Sequence, residues 1–436
     1  MSFTPISPKP LGLRVYSAFS RAAGPLAEFA LQRRLKAGKE DPDRISERRG
    51  VAGIARPEGE LFWIHGASVG ESLSVLPLVK RLAEMRPQVT FLVTTGTVTS
   101  ARMMAERLPE GAIHQFIPLD HPDFVDAFLK YWRPNAAFFV ESEFWPNLIL
   151  KARETISLMA LINGRVSPKS FEDWSRRRDF IRYVLNAFDL IIAQDRENAD
   201  RLRQLSAHDV FSFGNLKNAA PPLPVNDQDL AQMRAAIDGR MVWLAASTHR
   251  GEDDAIIAAH KNLVDSDNRV LTFVAPRHPD RGAELRALAT ANGVRTGLRS
   301  AGDEVTPETE LYIADTLGEL GLFYRLSDIS FVGGSLTPKG GHNPLEPARL
   351  GGSILHGPYT FNFVETYAEM RAGGGAALVR NERELASAVR RLFRDEKTRH
   401  AMAAAAQSSA ESSAERVLSE VTQLLLNRFE QARSAV

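Results

Sequence analysis

The chain contains no cysteine. Disulfides, thiolate metal sites and cysteine nucleophiles are therefore excluded, and nothing argues for an oxidising compartment. Long apolar runs are also missing. A spanning helix needs about 20 mostly apolar residues. The most membrane-like segment, residues 11–31, carries Arg14, Arg21, Glu28 and a Gly24-Pro25 break. There is no large net charge, only +1 over 436 residues. The body also lacks a basic stripe with interleaved aromatics, so no nucleic-acid partner is expected. No GxxxxGK[ST] phosphate loop occurs. No His/Asp/Glu cluster has metal-ligand spacing, so no metal is expected, and His249, His278 and His342 read as isolated polar contacts.

What is present is a globular composition, 44% hydrophobic and 25% charged, at a length that suits two or three domains. The balanced charge is unevenly spread. Residues 1–57 hold 11 Lys/Arg against 5 Asp/Glu, so the remainder is mildly acidic. At helical spacing Leu11, Val15, Phe19, Ala22 and Leu26 share one face, and Arg14, Ser17, Arg21 and Glu28 another. Arg33, Arg34, Lys36 and Lys39 follow. The pattern fits a helix lying in the headgroup region of an anionic membrane. It fits equally an amphipathic helix docked on the body. No signal-peptide cleavage pattern is evident, so a cytoplasmic body is expected.

From residue 60 to about 215, strand-like runs (61–65, 89–95, 112–117, 136–141, 157–162, 189–193, 209–213) alternate with helical patterns (72–86, 98–108, 121–132, 144–154, 173–187). This is the βαβ signature of a mostly parallel sheet covered on both faces. Residues 219–229, rich in proline, interrupt it. The alternation then resumes with strands at 241–246, 270–275, 310–313, 328–332, 353–356 and 375–379, and helices at 252–264, 281–291, 317–326, 344–350 and 381–395. A long Ala-rich helix closes the chain over 398–433. The expected architecture is α/β, with two doubly wound, Rossmann-like domains and a cleft between them. The expected divisions are an N-terminal segment 1–57, a first domain 58–218, a linker 219–238 and a second domain 239–436.

Chemistry in such sheets sits where strands end. Residues 61–71, LFWIHGASVGE, run from an apolar strand through a Gly-bracketed turn to Glu71. Glu71 is a candidate general base. With Ser68 three residues before it, it is equally a capping-box residue. Glu141 and Glu143 follow the strand AAFFV; Glu141, directly after it, is the better desolvated candidate for proton transfer. Lys217 ends the first domain and can neutralise a developing phosphate charge, or be a surface lysine. Arg277 ends strand 270–275 and suits bidentate phosphate contact. Residues 331–347, FVGGSLTPKGGHNPLEP, hold four glycines, Asn343 as a helix cap, Pro344 at the first helical position and Glu346 in the first turn, placed for ribose hydroxyls. Free N–H groups there make an anion site. In DTLGE (315–319) Gly318 allows a base or ribose to come near. The residues alone point to a nucleotide-type ligand on the second domain and a carboxylate base on the first.

HGASVGE (65–71), ESEFWPNLI (141–149), GNLK (214–217), PRHPDR (276–281), DTLGELG (315–321) and FVGGSLTPKGGHNPLEPA (331–348) resemble, in colinear order, the 3-deoxy-D-manno-octulosonic acid (Kdo) transferases of lipopolysaccharide synthesis. The resemblance covers about residues 60–395. It implies a GT-B glycosyltransferase fold, CMP-Kdo as donor, a lipid A precursor of the lipid IVA type as acceptor, no resident cofactor or metal, and a place on the cytoplasmic face of the inner membrane against anionic lipid. By position Glu71 resembles the family's proton acceptor, and Glu141 and Lys217 its transition-state stabilisers. Pro276, Arg277, Leu317, Gly318, Glu319, Asn343, Pro344, Leu345 and Glu346 resemble its CMP-binding positions. Two departures stand out. The apolar anchor common in the family is charged and broken here, and Asn218-Ala219 replace an aromatic and an acid after Lys217. A nucleotide-sugar epimerase, another lipid-linked transferase or a non-catalytic binding module are the alternative readings.

Overall fold

The computed structural model describes residues 8–206 and 208–434. The first seven residues of the N-terminal segment and the last two of the chain thus lie outside the described residues. The chain forms two units, Met1–Ala220 with Ala414–Val436, and Pro221–Ser413.

The first unit is built on a seven-stranded parallel sheet of β1 (Leu61–His65), β2 (Thr90–Thr95), β3 (Ile113–Phe116), β4 (Ala136–Val140), β5 (Leu158–Gly164), β6 (Leu190–Ala193) and β7 (Val210–Ser212). Their order is β3-β2-β1-β4-β5-β6-β7. Side chains alternate between the two faces of a strand. Hence Trp63, Ala137 and Phe139 enter the core on one face, and Phe62, Ile64 and Phe138 the core on the other. Helices cover both faces, which is why these strands read as continuous apolar runs. Because β1 has β2 on one side and β4 on the other, the order reverses between β1 and β4.

The second unit repeats the plan with β8 (Met241–Thr248), β9 (Val270–Pro276), β10 (Thr296–Leu298), β11 (Leu311–Ile313), β12 (Ile329–Val332), β13 (Ser353–His356) and β14 (Ala376–Leu378). The order is β10-β11-β9-β8-β12-β13-β14, all parallel, with the reversal between β8 and β12.

The structure corrects the sequence reading in four places. The linker 219–238 is not linker throughout: Asn226 caps a helix, Asp227–Ala236, whose Met233 enters a core of the second unit. The chain end does not belong wholly to the second domain. In the terminal helix Glu396–Ser434, Ala406 and Ala410 join a core of the second unit, whereas Val417, Val421, Leu425 and Phe429 join a core of the first. Strand β10, three residues with a glycine, and the helix Val364–Ala372 escaped notice because they carry little apolar period, and the short helix Arg196–Leu205 escaped it although Ala199, Leu202 and Leu205 face the core at helical spacing. The expected helix 173–187 is two, Pro168–Ser175 and Arg178–Leu185.

The N-terminal segment forms the helices Leu11–Ala22 and Gly24–Lys36. Leu13 and Leu31 are buried, and Tyr16 donates to Asp120 (2.9 Å) and Ser17 to Asn147 (2.7 Å). The apolar face of the pair, Leu11, Val15, Phe19, Leu26 and Phe29, points outward and is 58–76% exposed. Among the described residues no helix is long and apolar enough to cross a membrane.

Candidate active site

In the first unit the candidate residues gather at the carboxyl ends of β1 and β4, where the strand order reverses. Past β1, Gly66 turns so tightly that an added Cβ would lie 3.3 Å from the Glu71 Cβ. Ser68 caps the helix Val69–Met85. Its Oγ accepts from the Glu71 N–H (3.3 Å) and donates to Glu71 Oε1 (2.9 Å), while the Ala67 N–H donates to Glu71 Oε2 (2.8 Å). A reciprocal cap therefore forms, a variant of the capping box whose return bond reaches the N–H one residue before Ser68. It does not exhaust the carboxylate, which offers about four lone-pair sites and is only partly buried. Cap and base are compatible roles for Glu71.

Glu141 stands just beyond β4 in the left-handed region, φ +59°. That conformation is costly for a residue with a Cβ and persists only where the surroundings enforce it. Here the Glu141 N–H donates to Ile162 O (3.1 Å), and the Arg165 N–H reaches Glu141 O (3.4 Å). The turn aims the carboxylate at Lys217, whose Nζ lies 2.6 Å from Oε1. Lys217 is fixed in turn: Asn215 Oδ1 accepts from its N–H, and Asn163 Oδ1, from a second left-handed residue, accepts from the Leu216 N–H, each at 3.0 Å.

Glu143 and His65 complete this group and were not singled out as site residues in the sequence. Burial raises the pKa of Glu143 against the hydrogen bond from Trp145 (2.6 Å), and the charges of Glu71 and Glu141 push the same way. Three carboxyl groups thus share one electrostatic field. His65 Nε2 lies 3.9 Å from Glu143 Oε2. Complete burial lowers the His65 pKa to about 4, so the ring is neutral at pH 7. The signal for both lay in the polar residues that close β1 and β4.

In the second unit the ends of β8, β9 and β12 carry cations. Arg277 is exposed and meets no carboxylate among the described residues; Pro276 is buried in β9. The three histidines, isolated in sequence, are brought together. His249 and His342 touch through their Nε2 atoms at 2.8 Å with rings stacked 3° from parallel, and His278 meets His249 edge-on at 5.8 Å. Burial first, then His249, Arg277 and His278, lower the His342 pKa to about 4. Burial, His278, Lys339, Arg277 and Arg281 lower that of His249. The cluster is short of negative charge, and an anion would relieve it.

The glycine-rich connection after β12 is organised by Glu252, a residue the sequence reading passed over as a helix start. It is fully buried, and its carboxylate accepts the N–H groups of His249 (2.9 Å), Gly334 (2.7 Å), Ser335 (3.0 Å) and Leu336 (2.9 Å). Gly333 packs against the Ser247 and Ala246 carbonyls too closely for any side chain, and Gly334, Gly340 and Gly341 have positive φ. Asn343 accepts from the Leu345 N–H (3.1 Å), but Pro344, expected at the first helical position, stands at the cap instead, and the helix Leu345–Ala348 is a single turn. The helix-dipole part of the anion argument therefore falls away, and side-chain cations carry it. Pro344 and Leu345 are buried. Glu346 is a partly buried carboxyl whose pKa burial raises against Asn343, Arg349 and Arg277, so Arg277 and the 343–346 segment share one neighbourhood. Leu317 is 83% exposed and Gly318 has φ +85°. Glu319 is committed to Arg299 (2.7 Å), which lowers its pKa. Among the described residues no group of three or more His, Asp or Glu is arranged to hold a metal ion.

Comparison with known proteins bears on this arrangement. A family model described as 3-deoxy-D-manno-octulosonic-acid transferase (kdotransferase) matches residues 43–220. A 3-deoxy-D-manno-octulosonic acid transferase of Rickettsia bellii (strain RML369-C) is 36% identical over 346 residues, 79% of this chain and 82% of its own. One of Bordetella pertussis is 32% identical over 408 residues, 91% of this chain and 95% of its own. Among solved structures, a glycosyltransferase from Rickettsia africae ESF-5 superposes with a TM-score of 0.59 at 11% identity, over 85% of this chain and 99% of that one. That likeness bears on the fold, which is of the GT-B class.

Proposed function

The chain belongs to the 3-deoxy-D-manno-octulosonic acid (Kdo) transferase family, and from that premise we propose that it moves Kdo from CMP-Kdo to a lipid A precursor of the lipid IVA type in lipopolysaccharide synthesis. The observation that carries this reading is Glu71: a carboxylate on the switch-point turn, oriented by Ala67 and Ser68, with lone pairs to spare. Glu71 takes the proton from a glucosamine hydroxyl. That oxygen attacks the anomeric carbon of Kdo, the bond to the CMP phosphate breaks, and its electron pair leaves with the phosphate. Lys217 and Glu141, paired at 2.6 Å, buffer the charge that moves. The second unit holds the donor: Arg277, Lys339 and the histidine cluster meet the phosphate, and Pro276, Leu317, Gly318, Glu319 and Asn343–Glu346 surround CMP. Arg277 and Lys339 supply positive charge for that phosphate, and the reading invokes neither a metal nor a resident cofactor.

The same reading places the protein on the cytoplasmic face of the inner membrane. Leu11, Val15, Phe19, Leu26 and Phe29 face outward, while Arg14, Arg33, Lys36 and Lys39 meet no carboxylate among the described residues. An apolar face flanked by free cations is how a helix lies on anionic lipid.

The test is a product assay. The protein, a CMP-Kdo generating system and a tetraacyl glucosamine disaccharide are mixed in phosphatidylglycerol vesicles, and the lipid is read by mass spectrometry. The lipid gains whole Kdo units, and EDTA added once CMP-Kdo has formed leaves the rate of transfer unchanged. An unaltered lipid with CMP bound contradicts the acceptor assignment.

A further inference from the structure

Beside the catalytic carboxylates, the first unit contains a cavity of about 310 Å³. It lies between the connection that follows β4 and the one that follows β5. Glu143, Trp145, Arg165, Ser170 and Trp174 line it. Glu143, its partner Trp145 and the Arg165 backbone adjoin the site described above, whereas the Arg165 guanidinium, Ser170 and Trp174 have no part in it. Its volume is at the small end of ligand cavities, which run to about 1,000 Å³. It therefore admits a headgroup and not the acyl chains of a lipid.

The lining is specific in kind. Two indoles offer broad apolar faces, which suit the C–H faces of a pyranose ring. Trp145 is 45% exposed, unusual for so large a side chain, and its N–H is already committed to Glu143. Its ring is therefore oriented and its face open. Arg165 is exposed, meets no carboxylate among the described residues, and is set in place by the same backbone turn that strains Glu141. A free guanidinium beside aromatic walls suits an anionic group with two oxygens in reach of its fork, and a phosphate is such a group. Ser170 offers a hydroxyl and Glu143 a carboxyl with raised proton affinity, a pair suited to reading sugar hydroxyls.

The outer wall leads to the N-terminal helices. Trp174 stacks on Phe180 (6.0 Å, 12° between planes), and Phe180 meets Tyr16 edge-on at 6.4 Å. Tyr16 sits on the docked face of the helix Leu11–Ala22, whose opposite face exposes Leu11, Val15 and Phe19. The cavity is thus connected by packed rings to the surface assigned to lipid.

From this we infer that the cavity between the β4 and β5 connections seats a phosphorylated glucosamine unit of the acceptor, its ring on Trp145 and Trp174 and its phosphate on Arg165. The inference rests on the transferase reading and adds the subsite. It makes Arg165 and Trp174 determinants of acceptor choice, with no part in donor binding.

The experiment uses the full chain and intrinsic fluorescence. Trp63, Trp132 and Trp243 are fully buried, so quenching reports on Trp145 and Trp174. The probe is an acyl-free glucosamine disaccharide bisphosphate. It quenches the wild type, and the same disaccharide without phosphates binds roughly ten- to hundredfold more weakly, as expected for loss of a charge-assisted hydrogen bond. Arg165→Ala brings the bisphosphate down to the level of the unphosphorylated sugar, and Arg165→Lys restores part of the difference. In the transfer assay Arg165→Ala raises KM for the acceptor and leaves KM for CMP-Kdo alone. Equal binding of the two disaccharides, indifference to Arg165→Ala, or displacement of the probe by free Kdo overturns the assignment. Quenching that follows this pattern in a protein that transfers nothing leaves the subsite standing and sinks the proposed reaction. Transfer without any Arg165 dependence does the reverse.

Discussion

The two units share one plan and differ in charge. Each is a seven-stranded parallel sheet that reverses its order at one pair of strands, β1/β4 in the first and β8/β12 in the second. Each collects its polar residues at the carboxyl ends of those strands. In the first unit they are carboxyl groups, Glu71, Glu141 and Glu143, with a single lysine. In the second they are Arg277, Lys339 and three histidines, with the carboxyl of Glu346 beside them. The fold decides where the chemistry stands, and the residue types decide which chemistry it is. The units also use a carboxylate differently as a structural brace. Glu71 caps a helix with two hydrogen bonds and stays accessible, whereas the buried Glu252 spends itself on four backbone N–H groups.

That contrast makes Glu252 the place where the second unit breaks most severely. Glu252→Ala leaves four backbone donors without their acceptor. An unsatisfied buried group costs about 1–3 kcal/mol, so the loss is on the order of 3 kcal/mol or more. Hydrogen exchange should accelerate at the amides of 334–336 and CMP protection should vanish, while the amides of β1 and β4 keep their protection. Uniform acceleration in both units would show that the brace is not local.

A smaller effect is expected in the first unit at Lys217. Lys217→Ala leaves the largely buried Glu141 without its cation. Turnover should fall about a hundredfold, the low end of the range seen when a charge-stabilising donor is removed. CMP affinity, a property of the second unit, should not change. An unchanged turnover would return Lys217 to the surface.

The smallest effect is a pH dependence. His260 is buried in the second unit with Nδ1 2.8 Å from Thr272 Oγ1, and burial lowers its pKa to about 4. In the unfolded chain it protonates near 6.5. Between those values the unfolded state binds more protons, so stability falls as pH drops from about 6.5 to 4 and is complete above 6.5. At pH 5 this amounts to roughly 2 kcal/mol for one such ring. His260→Gln keeps a partner for Thr272 and removes that increment. Urea unfolding at pH 5 and 7.5 should therefore differ less in the variant than in the wild type. An equal difference in both would assign the acid sensitivity to other groups.

The sheets were legible in the sequence because fully buried parallel strands announce themselves as short apolar runs separated by glycine and proline. Glu71, Glu141, Lys217 and Arg277 were legible because each lies in the turn or connection that closes such a run, Glu141 directly after it. Other features were not. The contact of His249 with His342 joins residues 93 positions apart and depends on the register of β8 against β12. The left-handed turn at Glu141 has no composition of its own, since a non-glycine residue occupies it. Glu252 looked like an ordinary first-turn acid, and only the folded glycine connection makes it a brace. The helix Asp227–Ala236 was hidden by the prolines before it.

The central claim is that Glu71 is the base and not merely a cap. The most direct measurement is the transfer rate of Glu71→Gln. Glutamine serves a capping box as well as glutamate does, so the turn, the melting temperature and CMP binding should match the wild type. A general base contributes about 10²–10⁴ in rate, and the account predicts a fall within that range. A glutamine variant that transfers Kdo at close to the wild-type rate would contradict it and leave Glu71 as the cap of its helix.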